Sequence, residues 1–411
     1  MFRYVKRLSR IEQPNRIDWF IYFAGFTILH IPAILNFKNN DGSNNAYLLF
    51  ADSLLKGTLA LPNTGAAYMD MITYHGQQFL PYPPFPSFVL VPFVAAFGVM
   101  HVNTVAIALL MSCLNFYLLY KIFLRLQLEQ QYFSWLMAAF FFGTGYWYAL
   151  FTTHHVYAFA HITSCSLQLL VLAELLGKKR WWLIGIYIGC SFLSRQFTIF
   201  YIVFVLGYML YLHRQKLEQI KLSSVISLFC SVGIFIGIYL LYNYFRFANA
   251  FNPGYNYINY IGVLKERVDE YGVFSIRYLP FNLYSFFVKG FNIEFTGNGL
   301  MNIKDMDLWG TSIIAGSPFV VLSLKAKWPK LLLVSAWTTI VLILGGFLFY
   351  HNNGFHQVNC MRFSLDFLPL LFVLIALGAK QIPEWLLKSM IIYAIFLNLL
   401  SFLIHLIYQA H

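Results

Sequence analysis

Residues 39–87 read NNDGSNNAYLLFADSLLKGTLALPNTGAAYMDMITYHGQQFLPYPPFPS. The stretch is polar to mixed, stands between hydrophobic runs, and carries Asp41, Asp52, Asp70 and His75. Its order is an acidic residue just past a first apolar run, a short amphipathic helix, a turn region and a Pro-Pro pair. That is the layout of a membrane enzyme's first outer loop, and Asp41 is its leading candidate for a catalytic residue.

The composition around this stretch sets the class. Hydrophobic residues make up 59% of the 411, charged residues 11%, and the mean hydropathy is +0.64, which is an integral membrane protein and not a soluble domain. Aromatic residues, 19% of the chain, gather near the ends of apolar runs (Trp147, Tyr148, Trp181, Trp182, Trp309), where amphipathic rings favour the headgroup level. The formal charge of +12 sits in short tufts between apolar runs, so it orients the chain in a bilayer and does not point to nucleic acid. Cys113, Cys165, Cys190 and Cys230 lie inside apolar runs and Cys360 in an outer loop, which gives neither a disulfide framework nor a metal spacing. The first apolar run begins near Asp18, is about twenty residues long and lacks a small-x-small cleavage site, so it reads as a retained span.

Helix-length apolar runs cover 18–36, 102–124, 132–151, 156–176, 181–195, 197–212, 222–245, 309–324, 331–350, 363–379 and 386–408, about eleven spans by the length a hydrocarbon core demands. A twelfth run, 85–99, is short and holds Pro86 and Pro92. If it does not cross, the tufts at Arg3–Arg16, Lys121–Arg125, Lys178–Arg180, Arg214–Lys221, Lys325–Lys330 and Lys380–Lys388 collect on one side, as the positive-inside rule asks. We therefore place 85–99 as a helix in the outer interface and the N-terminus in the cytoplasm. The outer face then receives the segment 37–101, the short connection TTHHVYAFAH, and the segment 246–308, together with most of the carboxylates. The expectation is one all-α polytopic membrane domain over 1–411 with outer interfacial helices. No internal repeat joins its halves, which weighs against a transporter built on inverted repeats.

Several residues carry chemistry on this layout. Asp41, in a turn at a helix exit, either accepts a proton from an attacking hydroxyl or caps the helix predicted over 44–56. Asp52 lies on that helix and reads as part of a solvated face. Asp70 either assists substrate binding or caps a turn. The run TYHGQQFLPYPPFPS, with His75 and Tyr82, lays aromatic surface beside a lipid or forms a rigid turn, Pro83 and Pro84 fixing the backbone. His154, His155 and His161 suggest a metal, but a zinc site has tighter spacing and a third ligand, and paired histidines at a membrane edge read as hydrogen-bonding groups. An Arg at a helix centre in a bilayer costs about 2.5–3.5 kcal/mol, so Arg195 after GCSFLS and Arg362 in MRFSLDFLP need partners or a use. Arg362 and Asp366 at i, i+4 either neutralise each other, or Arg195 and Arg362 hold a phosphate with their guanidinium forks. In the long segment, YNYFRFANAFNPGYNYINY is dense in Tyr, Asn and Phe, suited to sugar faces and hydroxyls, while Lys265–Glu270 reads as a solvated helix face.

Together, Asp41 after the first span, AYLLFADSLLKGTL, PYPPFPS, SFLSRQ, YFRFANAFNPGY and NCMRFSLDFLP resemble the GT-C superfamily of polyprenyl-phosphate-sugar-dependent glycosyltransferases, in the branch with protein O-mannosyltransferases and aminoarabinose transferases. The resemblance implies an inverting hexosyl- or pentosyltransferase of the cell envelope whose outer-loop carboxylate, here Asp41, is the general base. Relatives carry a second acid beside that Asp and a Lys before the Pro-Pro pair; this chain has Asn40, Gly42 and Tyr82. The substrate-binding set is then Asp70, His75, Tyr82, His154, His155, Arg195, Tyr255 and Arg362. No metal site is assigned, though the resemblance leaves a divalent metal open. The implied partners are a polyprenyl-phosphate sugar, a lipid, glycan or protein acceptor, and membrane lipids; no nucleotide-binding Gly-rich loop is present. The alternatives are a flippase of lipid-linked sugars and a non-catalytic scaffold.

Overall fold

A computed structural model describes residues 45–62, 71–354 and 357–409. The run 18–36, Asp41 and Asp70 lie outside them. The helix predicted over 44–56 is α1 (Ala46–Leu55), capped by Asn45, whose side-chain oxygen accepts from the Tyr47 and Leu48 N–H groups. Such a cap satisfies donors that a helix start leaves orphaned. Asp52 pairs with Lys56 at 2.6 Å on its exposed side, as a solvated face requires. Strands β1 (Ile72–Tyr74) and β2 (Gln77–Phe79) then form a hairpin. Its corner residues His75 and Gly76 both have positive φ, 48° and 75°, the backbone of a two-residue type I′ turn.

Helices follow in series: α2 (Phe85–Phe97), α3 (Thr104–Arg125), α4 (Gln130–Phe142), α5 (Gly145–Phe151), α6 (Val156–Leu175), α7 (Trp181–Phe192), α8 (Tyr201–Arg214) and α9 (Leu222–Phe247), with a 3-10 stretch at Gln196–Phe200 leading into α8. After them come α10 (Gly262–Tyr271), α11 (Leu279–Phe287), the antiparallel pair β3 (Ile293–Thr296) and β4 (Asn302–Met306), β5 (Trp309–Thr311), α12 (Ile313–Gly316) and α13 (Lys330–Leu348). The chain closes with β6 (Gln357–Cys360), a 3-10 turn at Arg362–Asp366, α14 (Leu368–Ala379) and α15 (Glu384–Gln409). Among the described residues six helices are long and apolar enough to cross a membrane, at 104–125, 156–175, 196–214, 222–247, 330–348 and 384–407.

Helix α6 is the axis. It packs on α3 and α7, and α7 packs on α9. In the membrane-length window of α6, 89% of residues are buried, against 11% in that of α9, so α9 turns its apolar sides outward. Polar groups knit the centre: Gln168 Nε2 donates to Ser164 Oγ at 3.1 Å, Ser164 and Ser191 hydroxyls meet at 3.0 Å, and Tyr201 donates to Gln168 Oε1 at 2.8 Å. Such bonds join apolar helices that have no hydrophobic drive to associate in lipid.

Three apolar runs fold differently from the continuous helices expected. The run 132–151 breaks at Gly143 and Thr144, where Thr144 donates back to Phe140 O at 2.7 Å and caps α5 through Tyr146 N. The run 309–324 becomes β5, one turn of helix and a 3-10 stretch at Pro318–Lys325. In 363–379 the helix proper starts only at Leu368. Trp147, Tyr148 and Trp181 are not a headgroup belt either: they are buried in the core, and of that set only Trp182 is exposed.

Candidate active site

The elements meet around a cavity of about 650 Å³. Tyr47 of α1 and Tyr82 before the Pro-Pro pair form one wall, the rings 6.2 Å apart. That wall is anchored on two sides. Asn45 Nδ2 donates to His154 O at 3.0 Å, and Arg246 Nη1 of α9 donates to Leu80 O at 2.8 Å. Beyond Tyr82, Phe85 N donates to Leu193 O at 2.9 Å, which seats the Pro-Pro segment against the end of α7.

The floor is ionic. Asp366 is fully buried; it takes Arg195 Nε at 2.9 Å on Oδ2 and 3.2 Å on Oδ1, and His161 Nδ1 lies 3.0 Å from Oδ1. Arg195 thus spends its Nε on Asp366. Its two terminal amino groups make no hydrogen bond to the described residues, and 17% of its side chain is exposed. The i, i+4 neutralisation of Asp366 by Arg362 does not form. Arg362 instead donates Nε to Gly354 O at 3.0 Å and stands 3.9 Å from the Tyr157 ring centroid, and its backbone N–H goes to Gln357 Oε1 at 2.7 Å. Gly354 holds φ at 96°, a left-handed backbone that glycine adopts freely. Burial holds the Arg362 pKa below the ordinary arginine value, and the Arg195 charge acts in the same direction. The two guanidiniums are close enough to repel, which is the disposition that an anion between them relieves.

The long segment closes the other side. Gly254 has φ 86°, and a Cβ there would come 2.6 Å from Phe247 and 2.7 Å from Ile72, so a glycine is needed to turn the chain. The next residue, Tyr255, donates to Gln196 Oε1 at 2.9 Å, and Gln196 Nε2 donates to Tyr239 OH. Residues 258 and 260–264, leading into α10, line the cavity, with Phe274, Trp309 and the 350–352 corner. Trp309 arrives on β5, which pairs in parallel with β6 just before Arg362.

Of the predicted site residues, Tyr82, His155, Arg195, Tyr255 and Arg362 line this one cavity. His155 stacks on Tyr157 at 5.4 Å and 11°. His154 is next to it, with ring centroids 4.1 Å apart, and holds Asn45 by its carbonyl, but is not part of the lining. His75 is exposed at the hairpin corner, beside Tyr74 and outside the lining. Sequence reasoning missed Asp366 as the Arg195 partner, His351, and Tyr47, whose buried hydroxyl has no partner among the described residues; it weighed His161 only as a possible metal ligand and not as the group behind Asp366. Among the described residues, no three His, Cys, Asp or Glu side chains come together as metal ligands would.

Comparison with known proteins agrees with the resemblance in the sequence. Residues 82–247 match the family model described as dolichyl-phosphate-mannose-protein mannosyltransferase. The chain superposes on the crystal structure of ArnT from Cupriavidus metallidurans bound to undecaprenyl phosphate with a TM-score of 0.52 at 11% identity, over 90% of this chain and 62% of that one. The chain therefore spans about three fifths of that protein's length, and the likeness is one of fold: a mostly helical, ArnT-like GT-C architecture. No curated protein matches the chain.

Proposed function

We propose that the protein is an integral membrane glycosyltransferase that moves a hexose or pentose from a polyprenyl-phosphate donor to a lipid, glycan or protein acceptor at the extracytoplasmic face. The observation that carries this reading is the convergence of Arg195 and Arg362 on one aromatic-walled cavity in which Asp366 is the only carboxylate among the described lining residues. The excess positive charge suits a lipid phosphate. The family-model match and the fold of an undecaprenyl-phosphate-bound protein support the same donor class, and the positive-inside parity supports the side.

In the reaction the acceptor hydroxyl oxygen attacks the anomeric carbon opposite the phosphate. The new C–O bond forms as the bond from that carbon to the phosphate oxygen breaks, with inversion. The hydroxyl proton passes to the Asp41 carboxylate, and polyprenyl phosphate leaves with one more negative charge than it had in the donor. Fixed guanidiniums then bind the departing charge more strongly than the starting one, which is the condition for lowering the barrier. Asp41 stands four residues before Asn45, within about 14 Å of extended chain, and Asn45 is bound to His154 beside the cavity. Tyr82, His155 and Tyr255 complete the donor site. Asp70 is a second carboxylate in the same stretch of sequence; His154 adjoins His155 without lining the cavity, and His75 stands at the exposed hairpin corner.

The test is transfer of radiolabelled sugar from a panel of polyprenyl-phosphate sugars to native membrane extract by wild type and Asp41→Asn, with donor binding measured in both. Loss of a general base costs about 10²–10⁴-fold, so the variant is expected to bind donor as wild type does and to transfer at least about 100-fold more slowly. Equal transfer by the two proteins would remove Asp41 from the mechanism. Donor binding without transfer by wild type would favour a flippase.

A further inference from the structure

A second charged surface lies at the end of the bundle away from the cavity. Helix α6 begins at the cavity residue Val156, runs 20 residues and ends at Leu175, which puts its far end about 30 Å from the cavity at 1.5 Å per residue. There the turn 176–180, between α6 and α7, meets the turn 215–221, between α8 and α9, and Lys179 Nζ stands 3.0 Å from Glu218 Oε2 across them. Helices α7 and α9 both start at this end and run side by side, since a Cβ on Gly185 would come 2.7 Å from Leu228 O.

The two turns hold more cations than the chain answers. Lys179 pairs with Glu218, and Arg180 with Glu174 at 2.8 Å. Lys178, Arg214, Lys216 and Lys221 are exposed and make no ion pair with the described residues. Lys221 stands just before the first turn of α9, where the helix dipole repels a cation, so the helix it opens does not account for it. The positive-inside rule asks only that cations share a side of the membrane. It does not ask that these unpaired ones be gathered on two turns joined by an ion pair. Apolar surface lies directly beside them: Trp182 is 50% exposed, Leu217 43% and Leu222 73%, within two positions of Arg180, Lys216 and Lys221. A ligand that answers both halves has an anionic head and hydrocarbon chains. At the end of helices of membrane length, where headgroups meet acyl chains, that ligand is a phospholipid.

We propose that the turns 176–180 and 215–221 form a binding surface for an anionic phospholipid, its phosphate answered by Lys178, Arg214, Lys216 and Lys221 and its acyl chains lying against Trp182 and Leu222. This lipid is not the donor: the length of α6 separates the surface from the cavity, and the surface stands whether or not the cavity transfers a sugar. One headgroup bound there joins the α6–α7 connection to the α8–α9 connection and adds to the Lys179–Glu218 tie.

The test is native mass spectrometry of the full chain in a neutral detergent. Dissociation constants are measured for dioleoyl phosphatidylglycerol, for dioleoyl phosphatidylcholine, and for glycerophosphoglycerol, the anionic headgroup without acyl chains. The proteins are wild type, the quadruple variant Lys178→Gln, Arg214→Gln, Lys216→Gln, Lys221→Gln, and the double variant Lys178→Gln, Lys216→Gln, which takes one cation from each turn. A cation beside an anionic lipid is worth about fivefold in affinity, so wild type is expected to prefer phosphatidylglycerol over phosphatidylcholine by about tenfold or more and to bind the bare headgroup far more weakly. The quadruple variant should lose the preference and the double variant part of it, both with the Tm of the lipid-free protein unchanged. The inference is overturned if wild type shows no preference, or if both variants keep it. It is overturned equally if both variants lose Tm along with the lipid, which would make the cations structural, or if the bare headgroup binds as tightly as the lipid, which would make the surface a site for free anions.

Discussion

At the scale of single residues, Asp366 shows how far the sequence carries. Arg195 and Arg362 were legible because a guanidinium beside apolar runs demands a partner or a use, and both line the cavity. Of the two alternatives left open for Arg362, its pairing with Asp366 does not form, because that alternative assumed α-helical spacing. The segment is a 3-10 turn, in which residues three apart eclipse, so a residue four away is displaced from the same face. The true partners, Arg195 and His161, are 171 and 205 positions distant, and nothing local announces them. Removing one member of a buried ion pair leaves an uncompensated charge and costs about 3–5 kcal/mol. Asp366→Ala is expected to lower the unfolding free energy in detergent by that amount. A loss below about 1 kcal/mol would mean that Asp366 is not the counter-charge on which Arg195 rests.

Among the elements, long uniform helices were legible and their interruptions were not. The runs at 102–124, 156–176, 222–245, 331–350 and 386–408 became α3, α6, α9, α13 and α15 with ends shifted by a few residues, because apolar length alone fixes such helices. The break between α4 and α5 depends on tertiary contact: a Cβ on Gly145 would lie 2.8 Å from Cys360 O, a neighbour more than 200 positions away. The corner that carries His351 is likewise made by a distant side chain. Asn282 Nδ2 lies within donating distance of the Phe347, Leu348 and Tyr350 carbonyls, at 3.1, 3.0 and 2.8 Å, covering acceptors that a helix end leaves open. Asn282→Ala should cost about 1–3 kcal/mol, read as a lowered Tm. An unchanged Tm would show that the end of α13 is secured by other means.

At the scale of the molecule, the two segments expected outside the membrane, 37–101 and 246–308, both reach one cavity, the first with Tyr47 and Tyr82, the second with Tyr255 and Tyr260. Segments placed on one face by the expected parity of the spans can share a site, so their convergence was open to sequence reasoning; the shape of the site was not, because it depends on β5, β6 and the 350–354 corner. The central claim is that the cavity holds a lipid phosphate between Arg195 and Arg362. Its most direct measurement is equilibrium binding of undecaprenyl phosphate, with undecaprenol as the phosphate-free control, to wild type, Arg195→Ala and Arg362→Ala. Hydrogen bonds to charged groups contribute about 1.5–3 kcal/mol, or roughly 10- to 100-fold in affinity. Each variant is expected to bind the phosphate lipid weaker by about that factor and undecaprenol as wild type does. Binding of undecaprenyl phosphate unchanged in both variants would contradict the account.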